Sequence, residues 1–298
     1  MSVTIEIKSA GLFKKKVTFA ELPKLLGADM KVGIKNHANV FEETDGQEGS
    51  YFTVYRPARI GRGFGVELKN GGRTVSLYLN DPSTDGDISD YYDAVFRIAR
   101  FLKAKHYYNQ DHEGHSFLSK LADEKEQKIA STRSFLKGIF GKFDNMTIFG
   151  AINPIDLQEQ MIMQIRTAAT DEEAMRIYAD YLDQKQRQDY YYAKATLYRK
   201  GDQDAVLGVY TLTEGALSVF PVQPVTDANQ TGNVEVSEWR LALVGEVNGS
   251  LGMMGWVGFD QGIAYLQKLP HEVYDKSHIM VQLSHQQIQE LLAQGAVQ

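Results

Sequence analysis

Between Thr74 and Tyr107 the spacing of apolar residues changes from two to 3.6, and the change predicts a strand that leads into a helix. Val75, Leu77 and Leu79 alternate with their neighbours, as the buried face of a strand does. After the turn Asp81-Pro-Ser-Thr-Asp-Gly86, the residues Ile88, Tyr91, Tyr92, Val95, Ile98, Ala99 and Leu102 share one helical face, with Ser89, Asp90, Asp93, Arg97 and Arg100 opposite. Asp85 or Asp87 is expected to cap this helix, and Arg100, Lys103 and Lys105 suit its negative end. A stripe of this kind has to be covered, so the pattern predicts a helix laid on a sheet.

The same periodicities place the other elements. Val3, Ile5 and Ile7 read as a first strand and residues 16–19 as a second; Thr18 with Glu21 forms a capping box ahead of Leu22, Leu25 and Leu26. Tyr51–Arg56, Phe64–Lys69 and Arg73–Asn80 are strands, the last two joined by the hairpin turn Asn70-Gly71-Gly72. From 108 to 188 the pattern is helical. Asn153-Pro154 reads as the start of one helix (Leu157, Met161, Ile162, Ile165), and Thr170 with Glu173 caps another (Ala174, Ile177, Tyr178, Tyr181, Leu182). From Tyr190 a period of two returns, through Tyr190–Arg199, Ala205–Thr213, Ala216–Phe220, Glu238–Val247 and Ile279–Leu283, before Ser284 and Gln287 cap a last helix with Ile288, Leu291 and Leu292. These elements predict an α+β protein of antiparallel sheets, each covered by helices. Residues 1–110 form a sheet-and-helix domain, 111–188 a helical connecting region and 189–298 a second sheet-rich domain.

Composition narrows the function classes. Of 298 residues 43% are hydrophobic and 23% charged, which is ordinary globular usage and leaves ample material for a core. A net charge of −6 argues against a nucleic-acid-coating role, which needs a concentrated basic field. With no cysteine, disulfides, thiolate metal sites and cysteine nucleophiles are excluded. The opening Met1-Ser-Val-Thr-Ile-Glu lacks the layout of a signal peptide, and no run approaches the ~18 apolar residues of a membrane span. A cytoplasmic protein follows.

Several stretches invite a chemical reading. Asp81 to Ser89 has oxygen-bearing residues at positions one, three, five and nine of a calcium loop and glycine at six, but Tyr92 stands where a bidentate glutamate belongs, which favours a polar turn and cap. His106, His112 and His115, interleaved with Asp111 and Glu113, are the densest histidine cluster and could hold zinc, although they miss the His-Glu-x-x-His spacing. Gly61-Arg-Gly-Phe-Gly65 resembles a phosphate loop but precedes a strand, so its glycines read as turn residues. The glycine-punctuated run 249–258 brings Trp256 beside Phe259 and Asp260, and these three are the candidate ligand-binding residues. Ser134–Phe143 is a basic amphipathic stretch that could lie on a membrane surface, although its two internal glycines and the acidic chain favour packing on neighbouring helices or a second subunit. No constellation of titratable residues converges within a local motif. The function expected is non-catalytic: binding of a protein or small-molecule partner, a second copy of the chain included, with no cofactor and no nucleic acid. The alternative is a metal-assisted hydrolase using His106, His112 and His115.

Val17-Thr-Phe-Ala-Glu-Leu22, Gly63-Phe-Gly-Val-Glu-Leu68 and Leu79-Asn-Asp-Pro-Ser-Thr-Asp-Gly-Asp-Ile88 resemble segments of a functionally uncharacterised family of Gram-positive bacterial cytosolic proteins of similar length. The resemblance covers mainly residues 1–105 and implies no activity, cofactor or catalytic residue.

Overall fold

Strand alternation in the first third of the chain produces an eight-stranded sheet. Its strands are β1 (Val3–Lys8), β2 (Lys31–Lys35), β3 (Phe41–Glu43), β4 (Tyr51–Tyr55), β5 (Phe64–Lys69), β6 (Thr74–Leu79), β7 (His106–Asn109) and β8 (Gly114–Phe117). They run in the order β3-β2-β4-β5-β6-β1-β7-β8, and all the neighbours pair antiparallel. The computed structural model describes residues 2–11, 14–36, 39–44, 46, 51–110, 113–142, 146–187, 189–199, 206–225 and 235–295. The chain divides into two compact units, Met1–Arg187 and Gln188–Gln298.

In the first unit, helices α1 (Leu22–Leu26) and α2 (Asp85–Phe101) cover the sheet. Ile88, Tyr91, Val95, Ile98, Ala99 and Leu102 are buried against Ile5, Ile7, Val66, Leu77 and Leu79, as their spacing demands. Burying six such side chains contributes on the order of 10 kcal/mol of gross hydrophobic stabilisation. Three details differ from the sequence expectation. The N-cap is Thr84, whose extended backbone and short hydroxyl suit the position; its Oγ1 accepts from Asp87 N at 3.1 Å, and the Asp87 carboxylate in turn accepts from Thr84 N at 3.1 Å. Asp90, assigned to the outer face, is buried because the Arg56 and Arg59 guanidiniums close over it. Nor do residues 16–19 form a strand. The Thr18–Glu21 capping box starts a 3-10 turn at Phe19, and Val17 keeps one sheet-like bond, from its N–H to Gly72 O.

A helical layer completes this unit: α3 (Leu121–Phe140), the hairpin β9 (Thr147–Phe149) and β10 (Pro154–Asp156), α4 (Glu159–Thr167) and α5 (Asp171–Gln186). Leu136, Phe140, Ile148, Ile155, Ile162, Ile165, Tyr178 and Leu182 form its core, so the amphipathic stretch after Ser134 packs inward as its spacing suggests. The helix expected from Pro154 starts only at Glu159, because Ile155 and Leu157 keep a period of two and Ile155 pairs with Ile148. Thr170 caps α5, its hydroxyl accepting from Glu173 N, but the expected box is incomplete: the Glu173 carboxylate accepts from Ala169 N at 2.7 Å, one residue before the cap.

The second unit holds two four-stranded sheets, β11 (Tyr191–Tyr192), β14 (Ser218–Pro221), β18 (His278–Val281) and β17 (Glu272–Val273), and β12 (Thr196–Arg199), β13 (Val206–Thr213), β15 (Val236–Val247) and β16 (Ser250–Gly258). The β11–β14 and β13–β15 pairs are parallel and the rest antiparallel. Helices α6 (Phe259–Leu266) and α7 (His285–Gly295) bury Phe259, Leu266, Ile288 and Leu291 with Tyr210, Phe220 and Leu241. A buried chain, from Tyr192 Oη to His278 Nε2 (3.0 Å) and from His278 Nδ1 to Asp275 (2.8 Å), ties β11 to the turn before β18. The fold is therefore α+β, and among the described residues no helix is long and apolar enough to cross a membrane.

Candidate functional site

The glycines before β5 do meet an anion, but it is one of the chain's own. Asp87 lies fully buried in the first turn of α2. Its Oδ2 accepts from Arg62 N at 2.9 Å and from Thr84 Oγ1 at 2.8 Å, and its Oδ1 accepts from Gly63 N at 2.8 Å. A Cβ at Gly61 would stand 2.2 Å from Asp87 Oδ2, so only glycine lets the backbone come this close. Burial pushes the Asp87 carboxyl up, and the hydrogen bonds it accepts oppose that shift. Buried Gln186, at the end of α5, fixes the other side of the loop: its Nε2 donates to Gly61 O at 2.8 Å and its Oε1 accepts from Ile152 N at 2.7 Å. Loop 61–63, the start of α2 and the β9–β10 turn are thereby locked together.

This framework aims two cations into a cavity of about 450 Å³. Lys35, the last residue of β2, donates from Nζ to Gly150 O (2.7 Å), Asn39 O (3.0 Å) and Ile152 O (3.3 Å). Arg62 donates from Nη1 to Asn80 O (3.1 Å) and Asp81 O, and from Nε to Phe149 O (3.3 Å). All these acceptors are neutral backbone carbonyls. Arg62 Nη2 makes no hydrogen bond among the described residues. Burial, assisted by the positive charge of Arg62, pushes the Lys35 ammonium down to about 7. Among the described residues the one carboxylate lining the cavity, Asp81, is ion-paired at 2.8 Å with Lys128. Ser2, Thr53 and Asn80 add polar lining, and Tyr51 and Phe149 add aromatic rings. The cavity thus carries a largely desolvated ammonium and a half-buried guanidinium, and among the described residues neither is bonded to a carboxylate.

A second cavity, of about 490 Å³, lies on the Gly61 side of the same loop and is built differently. Its Arg133 is bonded to Asp85 at 2.7 Å and Glu172 at 3.2 Å, its Arg59 to Asp90 at 2.7 Å, and its Arg176 to Asp180 at 3.5 Å. The Asp85 carboxylate raises Arg133 above its ordinary value, as expected of a paired guanidinium. Each cation on this wall has a carboxylate.

The glycine stretch and the start of the calcium-like loop line these cavities, while the candidate metal and ligand-binding residues fall elsewhere. His106 on β7 and His115 on β8 stack against aromatic rings across the strand pair, His106 on Phe117 at 4.3 Å and His115 on Tyr108 at 5.3 Å; His112 lies outside the described residues. Trp256 is half-buried in β16 opposite Ala242, Phe259 is buried among Tyr210 and Phe220, and Asp260 is exposed on the first turn of α6. In the calcium-like loop Asp81 Oδ2 is engaged by Lys128, Asp85 Oδ2 by Arg133 and both oxygens of Asp87 by backbone amides. Sequence reasoning passed over both Lys35 and Arg62. Lys35 belongs to no motif, and Arg62 sat in a glycine stretch whose turn character was apparent while its side-chain direction was not.

Comparison with curated proteins finds no match, and comparison with solved structures finds none. A family model described as a domain of unknown function, DUF4299, matches residues 2–291, so the chain belongs to that family.

Proposed function

We propose that the protein is a non-catalytic binding protein whose first unit takes a small organic anion, a carboxylate or phosphate, in the Lys35–Arg62 cavity. The observation that carries this reading is that, among the described residues, the desolvated Lys35 ammonium and the half-buried Arg62 guanidinium are bonded to carbonyl oxygens alone. Carbonyls need donors, not charge: glutamine would satisfy several of them without the penalty of burying an ammonium. That penalty is several kcal/mol for an unpaired ion, and an anionic ligand offsets it. The cavity volume lies in the range of small-molecule pockets, roughly 300–1,000 Å³. Arg62 Nη2 supplies a hydrogen-bond donor and Lys35 a nearby charge; a ligand anion also restores the Lys35 proton. Isothermal titration of the full chain with acetate and with inorganic phosphate tests the reading. At least one is expected to bind at millimolar concentration and to lose affinity in Arg62→Met. Absence of heat and of any thermal shift with either anion would overturn it.

A further inference from the structure

Two aromatic rings share the cationic cavity. Tyr51 on β4 and Phe149 on β9 line it and are 44% and 49% exposed. By strand alternation Tyr51 and Thr53 lie on the sheet face opposite to Phe52 and Val54, which are buried beneath the helices. Tyr51 is also held low over the sheet: it lies across Gly65 of β5, where a Cβ would stand 2.2 Å from the Tyr51 hydroxyl. A side chain at 65 would lift the ring, so glycine keeps this wall flat. The Phe149 carbonyl bonds Arg62 Nε at 3.3 Å, which ties the second aromatic residue to the cation itself.

From these placements, and resting on the anion-pocket reading above, we infer that the ligand is an aromatic acid: a planar ring against Tyr51 and Phe149, with its carboxylate or phosphate at Arg62 and Lys35. Aromatic rings prefer offset or edge contacts worth about 0.5–1.5 kcal/mol per pair beyond area burial, while the guanidinium fork suits either acid group. Two such contacts correspond to roughly a 5- to 150-fold preference for a ringed anion over its ringless counterpart.

Titration of the full chain with benzoate against acetate, and with phenyl phosphate against inorganic phosphate, tests this and separates the two acid groups. The ringed member of at least one pair is expected to bind at least about fivefold tighter, with Tyr51→Ala and Phe149→Ala each reducing that ratio and the double variant bringing it to about one. Both rings are half exposed, so the variants are expected to fold; Tyr51→Leu and Phe149→Leu, checked by circular dichroism, serve where they do not. Equal binding of both members of each pair sinks the aromatic inference and leaves the anion pocket standing. Absence of binding by all four probes sinks both.

Discussion

The two cavities that share the Gly61–Gly63 loop are similar in size and opposite in electrostatic design. On the Gly61 side Arg59, Arg133 and Arg176 each meet a carboxylate, so the wall is a charge-balanced seam between α2, α3 and α5. On the other side Lys35 and Arg62 meet carbonyl oxygens, and their charge is left over. The difference teaches that a cluster of cations is not by itself a site. In the reading proposed above, what marks one is the missing counter-charge: the paired cations hold the fold, and the unpaired ones keep their charge for a ligand.

Breaking the balanced side is expected to cost stability and leave binding intact. Asp90→Ala removes the buried partner of Arg56 and Arg59 and is expected to lower the unfolding free energy by about 3 kcal/mol. Urea denaturation measures the loss, and unchanged titration with acetate or phosphate shows that the other cavity is untouched. Breaking the uncompensated side does the reverse. Arg62→Met is expected to weaken anion affinity about 10- to 100-fold, as for loss of a hydrogen bond to a charged group, and titration calorimetry reads it directly.

The Lys35 ammonium sharpens the contrast through pH. Its pKa falls from 10.5 in the unfolded chain to about 7 in the fold, so between those values the unfolded chain binds more protons. The stabilising contribution is complete above 10.5 and is lost as the pH falls towards 7, with a slope of at most about 1.4 kcal/mol per pH unit. Lys35→Met is expected to flatten this rise and to stabilise the ligand-free protein near pH 7; paired urea titrations from pH 6 to about 9.5 measure the difference between the two proteins. A variant less stable than the parent at every pH would assign Lys35 to the balanced kind. Ligand binding near pH 8 is expected to take up a proton at Lys35, seen as a dependence of binding heat on buffer ionisation enthalpy. The smallest effect belongs to the exposed pair Arg176–Asp180, one turn apart on α5: Arg176→Ala is expected to change stability by less than about 0.5 kcal/mol.

How far the sequence could be read depends on the range of the interaction concerned. The Val75–Leu79 strand, the helix over Ile88–Leu102 and the Thr170–Glu173 cap follow from contacts within a few residues, and they form as read. Pro154 shows the limit. Its local signal for a helix start was sound, but pairing of Ile155 with Ile148 claimed the segment for a hairpin. The histidines stood out because they lie close together in sequence, whereas Lys35 is 27 residues from Arg62 and more than 110 from the carbonyls of Gly150 and Ile152 that hold it.

The sequence by itself determined most of the periodic elements, the caps at Thr18, Thr170 and Ser284, the α+β class and the exclusion of cysteine chemistry, because each depends on residue type and short spacing. Tertiary structure alone decided which cations were neutralised. Asp87, Asp90, Lys35 and Arg62 look alike as charged residues in a string, yet folding gives the arginines around Asp90 a carboxylate and leaves Lys35 and Arg62 with carbonyl oxygens. Electrostatic complementarity is settled between groups brought within about 3 Å of one another, and those distances exist only once strands and helices distant in the chain have packed.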